Sequence, residues 1–91
     1  MEFTREANGF FLYDDAHEMI AEITYAPTDD PNIVEGNHTY VNPSLRGQGV
    51  ADKLLDALVE AMRAEGKKIR PTCSFIVKRF EENPKYADIK A

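Results

Sequence analysis

The sequence predicts an α+β domain, a mixed and mainly antiparallel sheet with two helices in the order β-β-β-β-α-β-α. Three observations carry this reading. Residues 18–26 alternate with period two, which argues a strand with one buried face. Turn signals at Asn8-Gly9 and between Pro27 and Asn32 separate short apolar runs, as in successive hairpins. From Gly49 onward the period changes to helical, with Val50, Leu54, Leu55, Leu58 and Met62 on one stripe.

In chain order, residues 2–7 read as a first strand and Asn8-Gly9 as the hairpin turn that returns it through residues 10–13. A second turn falls at residues 14–17. The strand over 18–26 then places Met19, Ala21, Ile23 and Tyr25 on one face and Glu18, Glu22 and Thr24 on the other, with Ile20 as the apolar exception. Residues 33–41 form the next long strand. Gly36 inside it signals a bulge or a close backbone approach, and Pro43 ends the ladder. A helix over 49–65 stops at Gly66, with Lys67 and Lys68 where positive charge suits the helix dipole. Residues 68–73 read as a strand splayed at Pro71. Ser74 is placed to cap a second helix that runs to Asn83 and ends at Pro84, and residues 86–89 add a last extended piece. The strand–helix–strand unit is long enough for a parallel crossover.

The 91 residues fit a single domain, 1–91, with no linker or repeat. One cysteine excludes an internal disulfide and points to a reducing, cytoplasmic location; no apolar run is long enough for a membrane span. Charge is divided unevenly. Residues 1–45 hold nine acidic side chains and one basic one, Arg5, whereas residues 46–91 hold ten basic and seven acidic ones. A net charge of −5 argues against nucleic acid as a partner, since such binding draws on many phosphate contacts. The two histidines and one cysteine have no ligand spacing, so no metal site is expected.

The start of the first helix is unusual. Helices leave their first N–H groups unpaired and commonly cover them with Ser, Thr, Asp or Asn, but here "LRGQGVA" supplies Arg46, Gly47, Gln48 and Gly49. Bare backbone, convergent amides and a positive side chain make an anion site; the same glycines would also serve a tight β-to-α turn.

Arg46-Gly47-Gln48-Gly49-Val50-Ala51 resembles the Q/R-x-x-G-x-G/A signature of the GNAT superfamily of N-acetyltransferases, and the element order is similar to the core of that fold. Residues 36–87, including Cys73 after the strand that follows the helix, resemble the small stand-alone GNAT-like acetyltransferases. The resemblance implies acetyl-CoA as co-substrate and no metal. Its pyrophosphate is expected on the amides of Arg46, Gly47, Gln48, Gly49, Val50 and Ala51, with charge from Arg46 or Lys53. Its pantetheine arm is expected along Tyr40, Val41 and Asn42, where the strands splay near Gly36 and Pro71. Lys78 and Arg79 are candidates for the 3′-phosphate.

The resemblance also marks Cys73 as a suspected active-site thiol, acting as acyl-accepting nucleophile or as acid for the CoA sulfur. A small thiol near a strand end is equally well ordinary packing. His38 is the candidate general base or thiol orienter, on the strand face shared with Val34 and Tyr40; His17 falls in an exposed turn. The tyrosine that protonates the leaving thiolate in many such enzymes is replaced at about that place by Phe80, and Tyr86 is the nearest alternative. The expected function is acetyl transfer to an amine acceptor, a protein lysine or a polyamine. A CoA-binding sensor without turnover and a small interaction domain are the alternatives.

Overall fold

The computed structural model describes residues 2–91 and contains the expected element order. Strands β1 (Thr4–Glu6), β2 (Gly9–Tyr13), β3 (Met19–Pro27) and β4 (Ile33–Val41) are followed by helix α1 (Val50–Glu65), strand β5 (Lys68–Pro71) and helix α2 (Ser74–Glu82). Single 3-10 turns lie at Pro43–Leu45 and Pro84–Tyr86. The strands lie in the sheet in chain order, β1-β2-β3-β4-β5. The first three pairings are antiparallel, and β4–β5 is parallel across the α1 crossover. Among the described residues no helix is long and apolar enough to cross a membrane.

Both helices take part in one core. Leu54, Leu55, Leu58, Val59 and Met62 of α1 meet Ala21 and Ile23 of β3, Val34 of β4 and Ile69 of β5, and Ile76 and Phe80 of α2 close the cluster. The heptad-like stripe read from the sequence is therefore the buried face of α1, which packs against the sheet. Gly66 ends that helix in the left-handed conformation at φ 70°, its N–H donating to Arg63 O.

Several local expectations need correction. The first hairpin turns on Ala7-Asn8, because Glu6 faces Gly9 in the register. Gly9 is a strand residue whose absent side chain admits the neighbouring strand: a Cβ there would lie 2.2 Å from Ile23 O. The first strand is correspondingly short, and β5 ends at Pro71, before Cys73. Cys73, not Ser74, occupies the N-cap of α2 and makes no side-chain capping bond. Tyr86 lies in a 3-10 turn where an extended piece was expected, and the chain meets β5 only through a lone parallel bridge, Ile69 to Lys90. Met19 is exposed, because the register slips between Leu12 and Tyr13 and pairs Met19 with Tyr13 on the helix-free side.

The bulge expected at Gly36 has a larger effect. Thr24 pairs with His38 but Tyr25 pairs with Gly36, so Asn37 is the extra residue. An extra residue inverts the inside–outside alternation of the rest of the strand. Thr39 and Val41, opposite Ile23 and Ala21, turn to the helices, and His38 and Tyr40, opposite Thr24 and Glu22, turn away. His38 is therefore on the face opposite Val34, contrary to the simple alternation.

Candidate active site

The connection from β4 to α1 is built to leave amides free. The Asn42 side chain accepts from Ser44 N at 3.0 Å and organises the 3-10 turn, while Arg46 N donates to Pro43 O at 3.2 Å. Arg46 is extended, and Gly47 and Gly49 then take φ values of 81° and 68°. The positive φ is what the backbone itself requires of these glycines. Among the described residues no hydrogen bond is donated by the amides of Gly47, Gly49, Val50, Ala51 or Asp52. A Cβ on Gly47 or Gly49 would meet no atom within 4 Å. Beside them is a cleft of about 220 Å³ lined by Val41, Leu45, Arg46, Gly47, Gly49, Val50, Ala51 and Asp52. Arg46 and Lys53 are exposed and form no ion pair among the described residues, so their charge is available to a ligand there.

A larger cleft of about 380 Å³ lies away from this loop, beside Arg63, Lys67, Lys68 and Asp88. Its main cation is already spent: Arg63 binds Asp88 and Glu60 and donates to Lys85 O, and these carboxylates hold its pKa above the ordinary arginine value. The smaller cleft has the free donors and is the better anion site.

The second part of the site is a gap in the sheet. β4 and β5 pair only from Ile33–Lys68 to Gly36–Pro71. There a single carbonyl, Gly36 O, accepts both Thr72 N at 3.0 Å and Cys73 N at 3.1 Å, and the chain turns into α2. Gly36 permits this turn-off, since a Cβ on it would lie 2.9 Å from Ile76 Cδ1 and 3.2 Å from Ile69 Cγ2. Beyond it, residues 37–41 of β4 have no β5 partner. Asn42 N is used by Ile20 O at 2.8 Å, and the antiparallel alternation that sends it there leaves Thr39 and Val41 facing the gap. Of the three residues expected to meet an extended ligand arm, Val41 thus faces the gap, while Tyr40 turns its backbone groups to β3 and Asn42 spends its N–H on Ile20 O and its carbonyl on Leu45 N.

Cys73 sits at this gap, half-buried, with Sγ 3.6 Å from Thr39 Oγ1 on β4. His38 does not join it; its ring points to the opposite face, where Nε2 lies 3.5 Å from Glu22 Oε2. The geometry thus separates the thiol and the imidazole that the sequence offered as partners. Tyr86 is also unsuited to giving a proton in the gap. Its hydroxyl donates to Asp56 Oδ1 at 2.6 Å, its ring packs on Phe80 at 5.2 Å, and burial, then the Asp56 bond, push its pKa far above the ordinary tyrosine value.

The basic candidates on α2 divide. Lys78 is exposed and has no ion pair among the described residues. Arg79 is tied to Asp52 Oδ1 at 2.7 Å and to Glu82 Oε1 at 3.2 Å, with its guanidinium 4.8 Å from the Phe75 ring centroid. Asp52 was not singled out from the sequence, yet it lines the anion cleft. An acid in the first turn suits the helix dipole but opposes an incoming phosphate, and Arg79 offsets that charge. Thr39 and Glu22 were missed as well. Their roles depend on the Asn37 bulge, which a strict period-two reading does not place.

Comparison with curated protein sequences finds no match. The chain is similar to the solution structure of a GCN5-like protein from Staphylococcus aureus, at 39% sequence identity and a TM-score of 0.81, over 99% of this chain and 87% of that one. Residues 9–89 match the family described as GCN5-related N-acetyl-transferase, a span that takes in both the glycine loop and the gap at Cys73. With that match, the free amides of the loop and the parted β4–β5 pair, the chain belongs to the GCN5-related N-acetyltransferase family.

Proposed function

We propose that the protein transfers an acetyl group from acetyl-CoA to an amine. The observation that carries this reading is the glycine loop: among the described residues five amides beside a cleft donate no hydrogen bond, and at two of those five, Gly47 and Gly49, an added Cβ would project only into open space. Such a cradle fits a pyrophosphate, with Arg46 and Lys53 adding charge. Val41 and Thr39 offer strand backbone to a pantetheine arm, and Lys78, exposed and unpaired among the described residues, is the candidate for the 3′-phosphate. Bound acetyl-CoA supplies a thioester whose carbon–sulfur bond breaks as the amine nitrogen bonds to the acetyl carbon.

The residues of this chain then handle protons. An attacking ammonium must lose one before it reaches the gap, and the base assigned to that step in this reading is His38, beside Glu22 on the face opposite the thiol. The departing sulfur must gain one, and this reading assigns its donation to Cys73, whose position at the gap supports the assignment. The proposed acceptor side lies open, with no helix among the described residues covering that face. A cytoplasmic location fits the single cysteine.

A second reading, a sensor that binds acetyl-CoA without turnover, is favoured by the Tyr86 hydroxyl being committed to Asp56 and by Phe80 having none. One assay separates the two. Release of free thiol from acetyl-CoA is followed with and without a panel of amines, for the wild type and for Cys73→Ala. An amine-dependent rate that Cys73→Ala lowers, with acetyl-CoA binding retained, supports the transferase. Saturable binding with no amine-dependent release in any case supports the sensor.

A further inference from the structure

The sheet face turned away from α1 and α2 is covered by no element among the described residues, and its composition is not that of a solvated face. Among the described residues, the three large apolar side chains that count as exposed, Tyr13, Met19 and Tyr40, each a little over one third exposed, belong to it. Phe11 is also on this face and is buried there, outside the main core cluster. The register sets Phe11, Glu22 and Tyr40 side by side across β2, β3 and β4, with His38 opposite Thr24 in the neighbouring row. A carboxylate is thus held between two aromatic rings, its side chain only 19% exposed.

The face also lacks cations over β1 to β4. Arg5, the sole basic side chain of residues 1–45, turns to the helices and binds Glu65 of α1 at 2.6 Å. Of the carboxylates on this face, Glu6 accepts from the Tyr13 hydroxyl and Glu35 from the Thr72 hydroxyl. Glu22 accepts no hydrogen bond among the described residues and has only the 3.5 Å approach of His38. Enclosed carboxylates ordinarily find donors, and an alkylammonium supplies three.

From this complementarity we infer that the helix-free face is the docking surface for an extended, lysine-bearing segment of another protein, anchored by a lysine ammonium on Glu22. The exposed Tyr40 ring beside the carboxylate suits the aliphatic stem and charge of lysine, and the buried Phe11 backs the carboxylate from the other side. The occupant is a protein segment because the surface is a sheet face: neither cleft described above is lined by its residues, so a small amine would find little area to bury. Tyr40 lies on the stretch of β4 that has no β5 partner, so the surface reaches the edge of the gap from the face opposite Thr39 and the Cys73 thiol. The inference rests on that function only for its consequence, since docking itself is readable without turnover.

The test is an amide-shift titration of the isotope-labelled protein, saturated with CoA, by an extended peptide with one central lysine. Parallel titrations use the same peptide with acetyl-lysine and use spermidine. The expected result is shifts at residues 20–24 and 38–41, with about tenfold weaker binding by the acetylated peptide and by Glu22→Gln against the lysine peptide. Acetyl-CoA affinity, measured separately by calorimetry, stays unchanged in Glu22→Gln, and this reading alone reports on the cofactor site. Tyr40→Ser, at an exposed position, gives the same loss should Glu22→Gln fold poorly. Equal affinity for the lysine and acetyl-lysine peptides, shifts confined to other faces, or spermidine binding as tightly as the peptide would each overturn the inference.

Discussion

Replacing Gly49 by asparagine separates a glycine needed for the turn from a glycine needed for a ligand. Gly49 stands at φ 68°, and a Cβ there meets nothing within 4 Å. The stability cost of a side chain is therefore conformational and not steric. For alanine the left-handed region costs about 1–2 kcal/mol, and asparagine tolerates it better. In a domain of this size 1 kcal/mol lowers Tm by about 4–8 °C. Gly49→Ala should thus melt roughly 4–16 °C below the wild type, and Gly49→Asn should lie closer to it. Ligand binding should follow a different order. Both side chains project into the space where a phosphate would approach, asparagine further. Loss of even one charge-assisted hydrogen bond is worth about 1.5–3 kcal/mol, or roughly 10- to 150-fold in Kd. The assay pairs calorimetric melting with acetyl-CoA titration for both variants. A Gly49→Asn protein that melts near the wild type and still binds acetyl-CoA with wild-type affinity would refute the cradle and leave the glycines a purely conformational role.

Other expectations can be checked with similar means. Gly36→Ala should destabilise the fold by about 1–3 kcal/mol through overpacking, because its Cβ would lie 2.9 Å from Ile76 Cδ1. Ile76→Val removes that methyl, so denaturant unfolding of the double variant should show a smaller loss than the two single losses added. Arg79→Ala should weaken acetyl-CoA binding about fivefold by leaving Asp52 unbalanced at the cleft, and Asp52→Asn in the same chain should recover it. In acid, Arg63 holds the Asp88 carboxyl below its ordinary 3.8, and Arg5 holds Glu65 below 4.5. Groups with lowered folded pKa values contribute stability above their unfolded values and lose it as pH falls through the folded ones. Melting temperatures should therefore drop below about pH 4.5, and less steeply in Asp88→Asn. In alkali, burial and then the Asp56 bond keep Tyr86 protonated beyond its ordinary 10.0, so its contribution is present below that value and lost as pH rises further. An ultraviolet titration should therefore show the same number of tyrosines ionising near pH 10 in the wild type and in Tyr86→Phe, the additional wild-type tyrosine ionising only on unfolding or at higher pH.

The sequence and the fold agree best where local chemistry decides structure. The helical stripe of α1, the Gly66 stop and the long strand Ile33–Val41 follow from periodicity and turn residues, and all stand as expected. The glycine loop was legible too, because uncapped amides and bare backbone are properties of a short segment. What could not be read depends on partners distant in sequence. Gly9 looked like a turn residue, but the constraint on it comes from Ile23 O on the next strand. His38 was assigned to the wrong face because one extra residue, Asn37, inverts the alternation. Arg79 looked free for a phosphate, but Asp52, 27 positions earlier, holds it. Residue type and spacing carry no direct sign of such pairs.

The sheet order β1-β2-β3-β4-β5 has a kinetic corollary. Each strand pairs with its neighbour in sequence, so the first four can zip together through short loops, each closure costing little chain entropy. The wide closure is the last one, where β5 must come back past the whole of α1 to meet β4, and only four register pairs reward it. The glycine loop stands on one side of that closure and Cys73 on the other. The two halves of the site therefore come into register only in the final folding step. The same seam should be an early one to open in native-state fluctuations, with hydrogen-exchange protection lower at Arg70 and Pro71's neighbours Thr72 and Cys73 than in β3.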